Sequence, residues 1–272
     1  MFRHRIIIIT TLALTALSLL VAAEPLDPDW KSVQQAIDKG LPQTAIKKLE
    51  PIIAEAKRQK RYGEAVRAIS TKIALEGNVQ GNRPEEKIVR MREEIENAPA
   101  AMKPVMEAVL ANWYWHYFQQ NRWRFMQRTQ TDASSGEDLL TWDLARILSE
   151  IDKQFQNTLS ASESLKKTPD AEYDRLQEKG SVPDTYRPTL FDILAHNALE
   201  FYSSGEQVAS RQQDAFDLSA DSPIFATTDQ FVAWTPKTTD QQSRTLKAIR
   251  LYQDLLRFHV DDDDRSAFLD TD

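Results

Sequence analysis

The residues with the most distinctive chemistry lie together near the middle of the chain. Residues 113–125 (WYWHYFQQNRWRF) contain seven aromatic side chains and two arginines, and a third arginine follows closely. Aromatic rings and guanidinium groups stack on sugars, bases and ligand cations, and both are favoured at protein interfaces. Three interpretations are open: a helix buried on most of its faces, a protein interface, and a glycan-binding platform. The candidate interface residues are Trp115, Arg122, Trp123, Arg124 and Arg128.

The sequence contains no recognisable catalytic or metal-binding motif. His116, His196 and His259 form no HExxH pattern, and the serines form no GxSxG motif. The chain has no cysteine, which excludes disulfides, Cys-ligated zinc and Cys nucleophiles. We therefore predict no catalytic residues, no metal ligands and no cofactor, and we expect the protein not to be an enzyme. Each histidine is expected to be a hydrogen-bonded residue of the core or its boundary.

A run of four aspartates near the C-terminus resembles a calcium-binding loop only superficially. Asp261, Asp263 and Asp272 match positions 1, 3 and 12 of an EF-hand loop. Positions 5 and 6 are Arg265 and Ser266, where such a loop requires an oxygen ligand and a glycine. A solvated acidic linker is the better interpretation.

The composition narrows both the fold class and the partners. The 272 residues are 41% hydrophobic and 28% charged, as in ordinary globular chains. The sequence has 7 glycines, few for its length. Because tight β-turns and phosphate-binding loops depend on glycine, all-β and dinucleotide-binding folds are disfavoured. The net charge of −7 disfavours nucleic acid and anionic membrane surfaces as partners, since both are polyanionic.

The N-terminus has the pattern of a secretory signal. Arg3 and Arg5 precede an apolar run over 6–21, and small residues lead up to a cleavage site after Ala23. The alternative is an uncleaved anchor, because the apolar run is near the lower length limit for spanning a bilayer. Such an anchor would be the protein's one link to a membrane. We expect an exported protein, periplasmic or extracellular after cleavage near Ala23.

Apolar residues recur with the helical period along most of the remaining chain. Trp30, Val33 and Ile37 form one such stripe, and Gly40 is expected to end it. No segment alternates with period 2 for long enough to predict a sheet, so the sequence predicts an all-α fold. The predicted helices centre on residues 30–37, 45–56, 62–73, 88–95, 106–117, 144–155, 191–202 and 246–256.

Local signals predict where several helices begin and end. Pro51 is expected to kink or divide the second helix, and Gly77 to end the third. Thr141 and Ser243 are candidate N-caps, and Pro188 suits a first helical turn. The long segment 203–239 has no clear period and is expected to pack across other elements or to serve a site.

The close spacing of the first helices favours antiparallel helix pairs. Trp30, Ala45 and Ala65 lie where tetratricopeptide-like repeats place packing residues, which predicts a superhelical or tetratricopeptide-like array. A compact helical domain is the alternative, because the period does not repeat cleanly downstream. The predicted organisation is a signal peptide (1–23), a helical domain (24–260) and an acidic linker or truncated end (261–272).

The helical wheel divides the aromatic segment between core and surface. Trp113 shares a face with the apolar residues that precede it, so we expect it in the core. Trp115 and Trp123 face other directions. Trp123 follows the predicted helix end at Asn121 and is expected to lie in a groove, against another helix or a partner domain.

Five strings of the sequence resemble one known family. The chain is similar to the N-terminal helical region of bacterial alpha-2-macroglobulin family proteins over nearly its whole mature length. The matching strings are IALEGNVQGNRPEEKI (73–88), HYFQQNRWRFMQRTQT (116–131), VPDTYRPTLFDILAHNALEFY (182–202), LSADSPIF (218–225) and LKAIRLYQDLLRFH (246–259).

The resemblance implies a supporting role in protease inhibition. Full-length members trap endopeptidases with β-sandwich domains, a cleavable bait segment and often a Cys-x-Glu-Gln thioester, and this sequence contains none of them. The chain then looks like a fragment: the non-catalytic N-terminal helical module of an exported inhibitor. Its expected protein partners are its own downstream macroglobulin domains, and proteases indirectly.

A second function class stays open. The chain would then be a stand-alone periplasmic helical-repeat scaffold that binds protein, peptide or glycan. Lipid-anchored glycan binders carry a cysteine directly after the signal, and its absence here makes this alternative weaker.

The signal-peptide interpretation predicts that residues 1–23 are missing from the protein recovered from its source cell. N-terminal sequencing should begin at Glu24, because the charged, apolar and small-residue regions are in the order that signal peptidase recognises. Recovery of Met1 or Phe2 would instead establish an uncleaved anchor.

Overall fold

The computed structural model describes residues 28–79, 81, 83–127, 136, 138–177, 183–204, 216, 218–219 and 221–271. In these residues the chain forms helices and no β-strand, so the predicted all-α fold is confirmed. The α-helices are α1 (Pro28–Asp38), α2 (Pro42–Arg58), α3 (Tyr62–Val79), α4 (Pro84–Glu96), α5 (Lys103–Gln120), α6 (Arg122–Met126), α7 (Leu144–Ser160), α8 (Ser162–Leu165), α9 (Leu190–Tyr202), α10 (Thr228–Ala233), α11 (Arg244–His259) and α12 (Ser266–Thr271). Short 3-10 helices cover Leu139–Thr141, Asp170–Leu176, Asp184–Tyr186 and Pro223–Phe225.

The first three helices pack in chain order and are joined by two turns of one type. Gly40 ends α1 with a φ of 66°, and the N–H of Leu41 donates to the carbonyl of Ala36 at 2.9 Å. Lys60 takes the same left-handed conformation after α2, with a φ of 59°. A left-handed residue at this position caps the last carbonyls of a helix. The predicted end at Gly40 is therefore confirmed, and turns this short make the neighbouring helices antiparallel.

The apolar residues divide between a main core and two smaller clusters. The main core joins α3, α4, α5, α7, α9 and α11, and most of α5 is buried in it, except for a partly exposed face at Asn112, Trp113 and His116. A second cluster holds α1 against α2 and α3 through Trp30, Val33 and Leu49. The helices pair as the sequence predicts. Their arrangement into a superhelical array stays a prediction.

Two helices continue through residues at which the sequence predicts a break. Helix α2 continues through Pro51, so this proline does not divide it, while a kink there stays a prediction. Helix α3 continues past Gly77 to Val79, so this glycine does not end it. A Cβ at Gly77 would overlap the side chain of Lys87, so the glycine gives that side chain of α4 room against α3.

The cap of α7 is two residues further along than the sequence suggests. Asp143 accepts a hydrogen bond from the backbone N–H of Arg146 at 2.8 Å, which makes it the N-cap. The hydroxyl of Thr141 instead donates to the carbonyl of Asp138 at 2.7 Å within a 3-10 turn. The N-cap prediction at Thr141 is therefore wrong, because a second capping residue follows closely.

The caps of α9 and α11 show one correction and one confirmation. Thr189 and Asp192 form a reciprocal capping box at the start of α9, so Pro188 lies before the helix and not in its first turn. Ser243 accepts from the N–H of Leu246 at 3.3 Å, which confirms the predicted cap of α11.

The C-terminal segment does not match a solvated linker throughout its length. Within 261–272, residues Ser266–Thr271 form α12, with Ala267 and Thr271 buried. This helix packs on α11 and on the 3-10 turn Asp184–Tyr186. The linker interpretation therefore fails for α12, because its small residues fit against the helical domain.

The described part of the segment 203–239 packs across another helix, as expected. Helix α10 places Phe231 against Ile249 and Leu256 of α11. The side-chain amide of Gln253 donates to the carbonyls of Phe231 and Trp234 at 2.7 and 2.8 Å. Among the described residues, no helix is long and apolar enough to cross a bilayer.

Two glycines of α3 make a matched test of this packing. A Cβ at Gly63 would overlap the backbone carbonyl of Glu172, whereas a Cβ at Gly77 would meet only the flexible side chain of Lys87. Gly63→Ala is expected to lower the free energy of unfolding by about 1–3 kcal/mol, as overpacking does. Gly77→Ala should be neutral or slightly stabilising, since alanine favours helix. Urea denaturation measures both, and equal midpoints would contradict the close approach at Gly63.

Candidate interaction surface

The aromatic and arginine residues meet at a sharp corner between α5 and α6. Helix α5 ends at Gln120, and the N–H of Asn121 donates to the carbonyls of Tyr117 and Phe118, both at 3.1 Å. Helix α6 begins at the next residue, and the side-chain amide of Asn121 donates to the carbonyl of Tyr117 at 2.9 Å. These bonds fix the direction in which α6 leaves α5.

Phe125 anchors α6 to the main core. Its side chain is fully buried and contacts the rings of Tyr117 and Phe118, with centroid distances of 6.1 and 5.8 Å. A short helix has little stability of its own, so this buried ring and the Asn121 bonds hold α6 in place.

Arg124 connects α6 to α5 at this corner. One of its terminal nitrogens donates to the hydroxyl of Tyr117 at 2.6 Å, and its guanidinium lies 5.2 Å from the Tyr117 ring and 5.0 Å from the Phe125 ring. Its Nε is buried without a hydrogen-bond partner. Arg124, which the sequence predicts at an interface, therefore contacts Tyr117 and Phe125 of its own chain.

Trp115 lies in the core, where it cannot meet a partner. The residue is 7% exposed, and its ring contacts Phe118 and Phe201, each at a centroid distance of 5.4 Å. Its selection as an interface residue is corrected by this burial. Trp113 is half-buried at the edge of the core, so the expected order of these two tryptophans is reversed. Because the apolar residues of α5 are spread over several of its faces, its sequence does not show which tryptophan is innermost.

Trp123 is the ring of this cluster that faces solvent. It is 76% exposed, with Arg122 and Met126 also exposed on the same short helix. No helix among the described residues covers it, so the predicted groove against another helix is absent from the part of the chain that the structure describes, while docking to a partner domain stays a prediction. Arg128 lies outside the described residues. A tryptophan held on an anchored helix is typical of a protein-binding hot spot.

A groove between α3 and α4 is a second surface feature. Its volume is about 820 Å³, and Val89 is exposed along it. Arg90 and Lys72 both form ion pairs with Glu76, the second at 3.9 Å. The groove is therefore lined by two apolar side chains, the exposed Val89 and the buried Ile73, among charged residues of which several are paired.

A buried ionic cluster near the C-terminus was missed by the sequence analysis. His259 lies between the carboxylates of Asp192 and Asp262, at 2.7 and 2.6 Å. His196 lies 3.5 Å from the carboxylate of Asp270, to which Arg187 donates at 3.0 Å. The spacing of three residues between His259 and Asp262 was a usable signal, but the contact with Asp192 joins residues far apart in sequence.

His116 and the possible metal ligands complete the description of the histidine and acidic side chains. Nδ1 of His116 is 2.7 Å from the carbonyl of Asn112, as expected for a hydrogen-bonded residue at the boundary of the core. In the part of the chain that the structure describes, no group of three or more His, Asp or Glu side chains is arranged to hold a metal ion.

The fold and this corner define an all-α domain with an anchored, solvent-facing tryptophan. No protein-family model, curated protein or solved structure matches the chain. Membership of the alpha-2-macroglobulin family therefore stays a prediction from the sequence resemblance.

The two tryptophans should differ sharply in their contribution to stability. Trp115→Ala is expected to lower the free energy of unfolding by about 3–5 kcal/mol, because it removes a buried ring from the main core. Trp123→Ala should change it by less than about 0.5 kcal/mol, as surface substitutions do. Urea midpoints of both variants measure the difference. A comparable loss in Trp123→Ala would place that ring in the core and remove the interaction surface.

Proposed function

We propose that the chain is the non-catalytic N-terminal helical module of an exported alpha-2-macroglobulin-like protease inhibitor. The single observation that supports a docking role is the exposure of Trp123 on a helix fixed by the buried Phe125. The five resembling strings support the family, and the N-terminal pattern supports export. The module's partner in this proposal is the macroglobulin body of the same protein, and proteases are contacted only through that body.

The geometry at α6 suits docking for two physical reasons. A tryptophan ring contributes a large contact area, on the order of 200 Å² when covered. The hydrogen bonds of Asn121 and the burial of Phe125 orient the helix in advance, so little conformational entropy is lost on binding. Trp123 would supply most of the binding energy, and Arg122 and Met126 would lie around it.

In this proposal the module neither hydrolyses peptides nor inhibits a protease alone. Trapping requires a bait segment that is cut and a body that changes shape after the cut. An all-α module of this size would instead position the body or connect it to other components.

The groove between α3 and α4 favours a second candidate function. A stand-alone periplasmic scaffold would hold a peptide there, with an apolar side chain against Val89 and polar contacts to the charges that line the groove. Because the groove is lined by no aromatic ring, it suits a peptide better than a glycan.

Two observations distinguish the module proposal from the stand-alone scaffold: the coding sequence that follows codon 272 and a binding titration. The module proposal expects a reading frame, open or restored by one frameshift, that encodes a long β-rich body. That body, produced separately, should bind residues 24–272. Trp123→Ala should weaken the complex about 30-fold, the effect of losing a hot spot of about 2 kcal/mol.

Phe225→Ala is the matched control, because Phe225 is a similarly exposed aromatic residue, at 77%, in a different element, the 3-10 helix Pro223–Phe225. It should leave the dissociation constant unchanged. A stop codon followed by unrelated sequence would refute the module proposal. Equal binding by wild type and Trp123→Ala would refute the assignment of the docking surface.

A further inference from the structure

His259 occupies an unusual position at the end of α11. The residue is 1% exposed, and each of its ring nitrogens faces a carboxylate oxygen: Nε2 lies 2.7 Å from Asp192 and Nδ1 lies 2.6 Å from Asp262. A carboxylate accepts hydrogen bonds and does not donate them, so both nitrogens must carry protons. The arrangement is complete only while the imidazole is positively charged.

The two carboxylates differ in how firmly they are held. Asp192 is fully buried, and its other oxygen accepts from the N–H and the hydroxyl of Thr189 at 2.9 and 2.8 Å. Asp262 is 43% exposed and lies on the turn between α11 and α12. If the imidazole loses one proton, Asp192 keeps its remaining partners, whereas Asp262 can leave for water.

We propose that Asp192, His259 and Asp262 form a pH-dependent latch that holds the C-terminal helix α12 on the helical body. The bond to Asp262 fixes the path of the chain directly after His259, and this path leads to α12. With the latch open, α12 is retained by the contact of Asp270 with Arg187 and by the burial of Ala267 and Thr271.

The pKa of His259 gives the direction of the pH dependence. Burial lowers the pKa of His259, but the hydrogen bonds to Asp192 and Asp262 and the negative charges of these residues together raise it by more. The pKa of this histidine therefore lies above its ordinary 6.5. A raised pKa in the folded state means that the stabilising contribution is complete below about pH 6.5 and is lost as the pH rises through the folded value. The latch is closed in acid and opens on the alkaline side.

The other charged groups packed around the latch do not reverse this direction. His196 of α9 faces Asp270 of α12, and burial together with the nearby Arg187 lowers its pKa to about 4. It is therefore neutral where His259 titrates, and the Arg187–Asp270 contact persists. Lys166, beside α8, lies over the rings of Phe191 and Phe258.

The test follows His259 and α12 in the same protein. NMR titration of the histidine ring gives its pKa, and amide hydrogen exchange of residues 266–271, corrected for the intrinsic effect of pH, gives the protection of α12. In the wild type, protection should begin to fall above about pH 6.5 and should level off once the pH exceeds the pKa that the NMR titration gives for His259. The fall should be about tenfold for each pH unit between the pKa values of His259 in the closed and open states.

Asp262→Asn and Asp263→Asn are the matched variants, since each removes one negative charge from the same exposed run. Asp262→Asn should lower the pKa of His259 and leave α12 weakly protected at every pH. Asp263→Asn should behave as the wild type. Protection of α12 that does not change while His259 titrates would overturn the proposal, and so would the same loss in both variants. If Asp262→Asn failed to fold, the wild-type pH profiles of His259 titration and of α12 protection would decide alone.

Discussion

The burial of most of α5 is the constraint on which the rest of the structure depends. Helix α5 places apolar and aromatic residues on several of its faces, and a helix of this kind is unstable in water unless other elements cover those faces. Helices α4, α7 and α9 cover it. Helix α7 also reaches its first turn, because the hydroxyl of Thr158 donates to the carbonyl of Pro104 at 3.0 Å. The corner at Asn121 is where the chain leaves this enclosed position.

Buried polar groups then fix the outer helices relative to this centre. Lys247 of α11 donates to Asp152 of α7 at 2.7 Å, and the charge of Asp152 adds to the effect of burial in raising the pKa of Tyr202 on α9. A buried charge is costly unless it is paired, so these contacts accept few alternative arrangements of the three helices. Gln253 attaches α10 to α11 in the same way, through two backbone carbonyls.

The two functional proposals depend on different consequences of this fixed packing of helices around α5. At α6, this packing holds the ring of Trp123 in water, and covering that ring with a partner would be favourable. At the end of α11, the same packing buries an imidazole between two carboxylates, which in our proposal makes the attachment of α12 depend on a proton. Neither arrangement requires catalytic chemistry. Both suit a module that positions other parts of an assembly.

The sequence by itself determined the class of the fold and several of its helix ends. Helical periodicity and caps such as Ser243 and Gly40 depend on residues a few positions apart, and such local signals are visible in one chain. The tertiary structure decided which tryptophan is inside. The apolar pattern of α5 has no preferred face, and it was the packing of α9 that enclosed Trp115. It also decided that Asp192 meets His259, because a contact across 67 residues depends on how the helices pack.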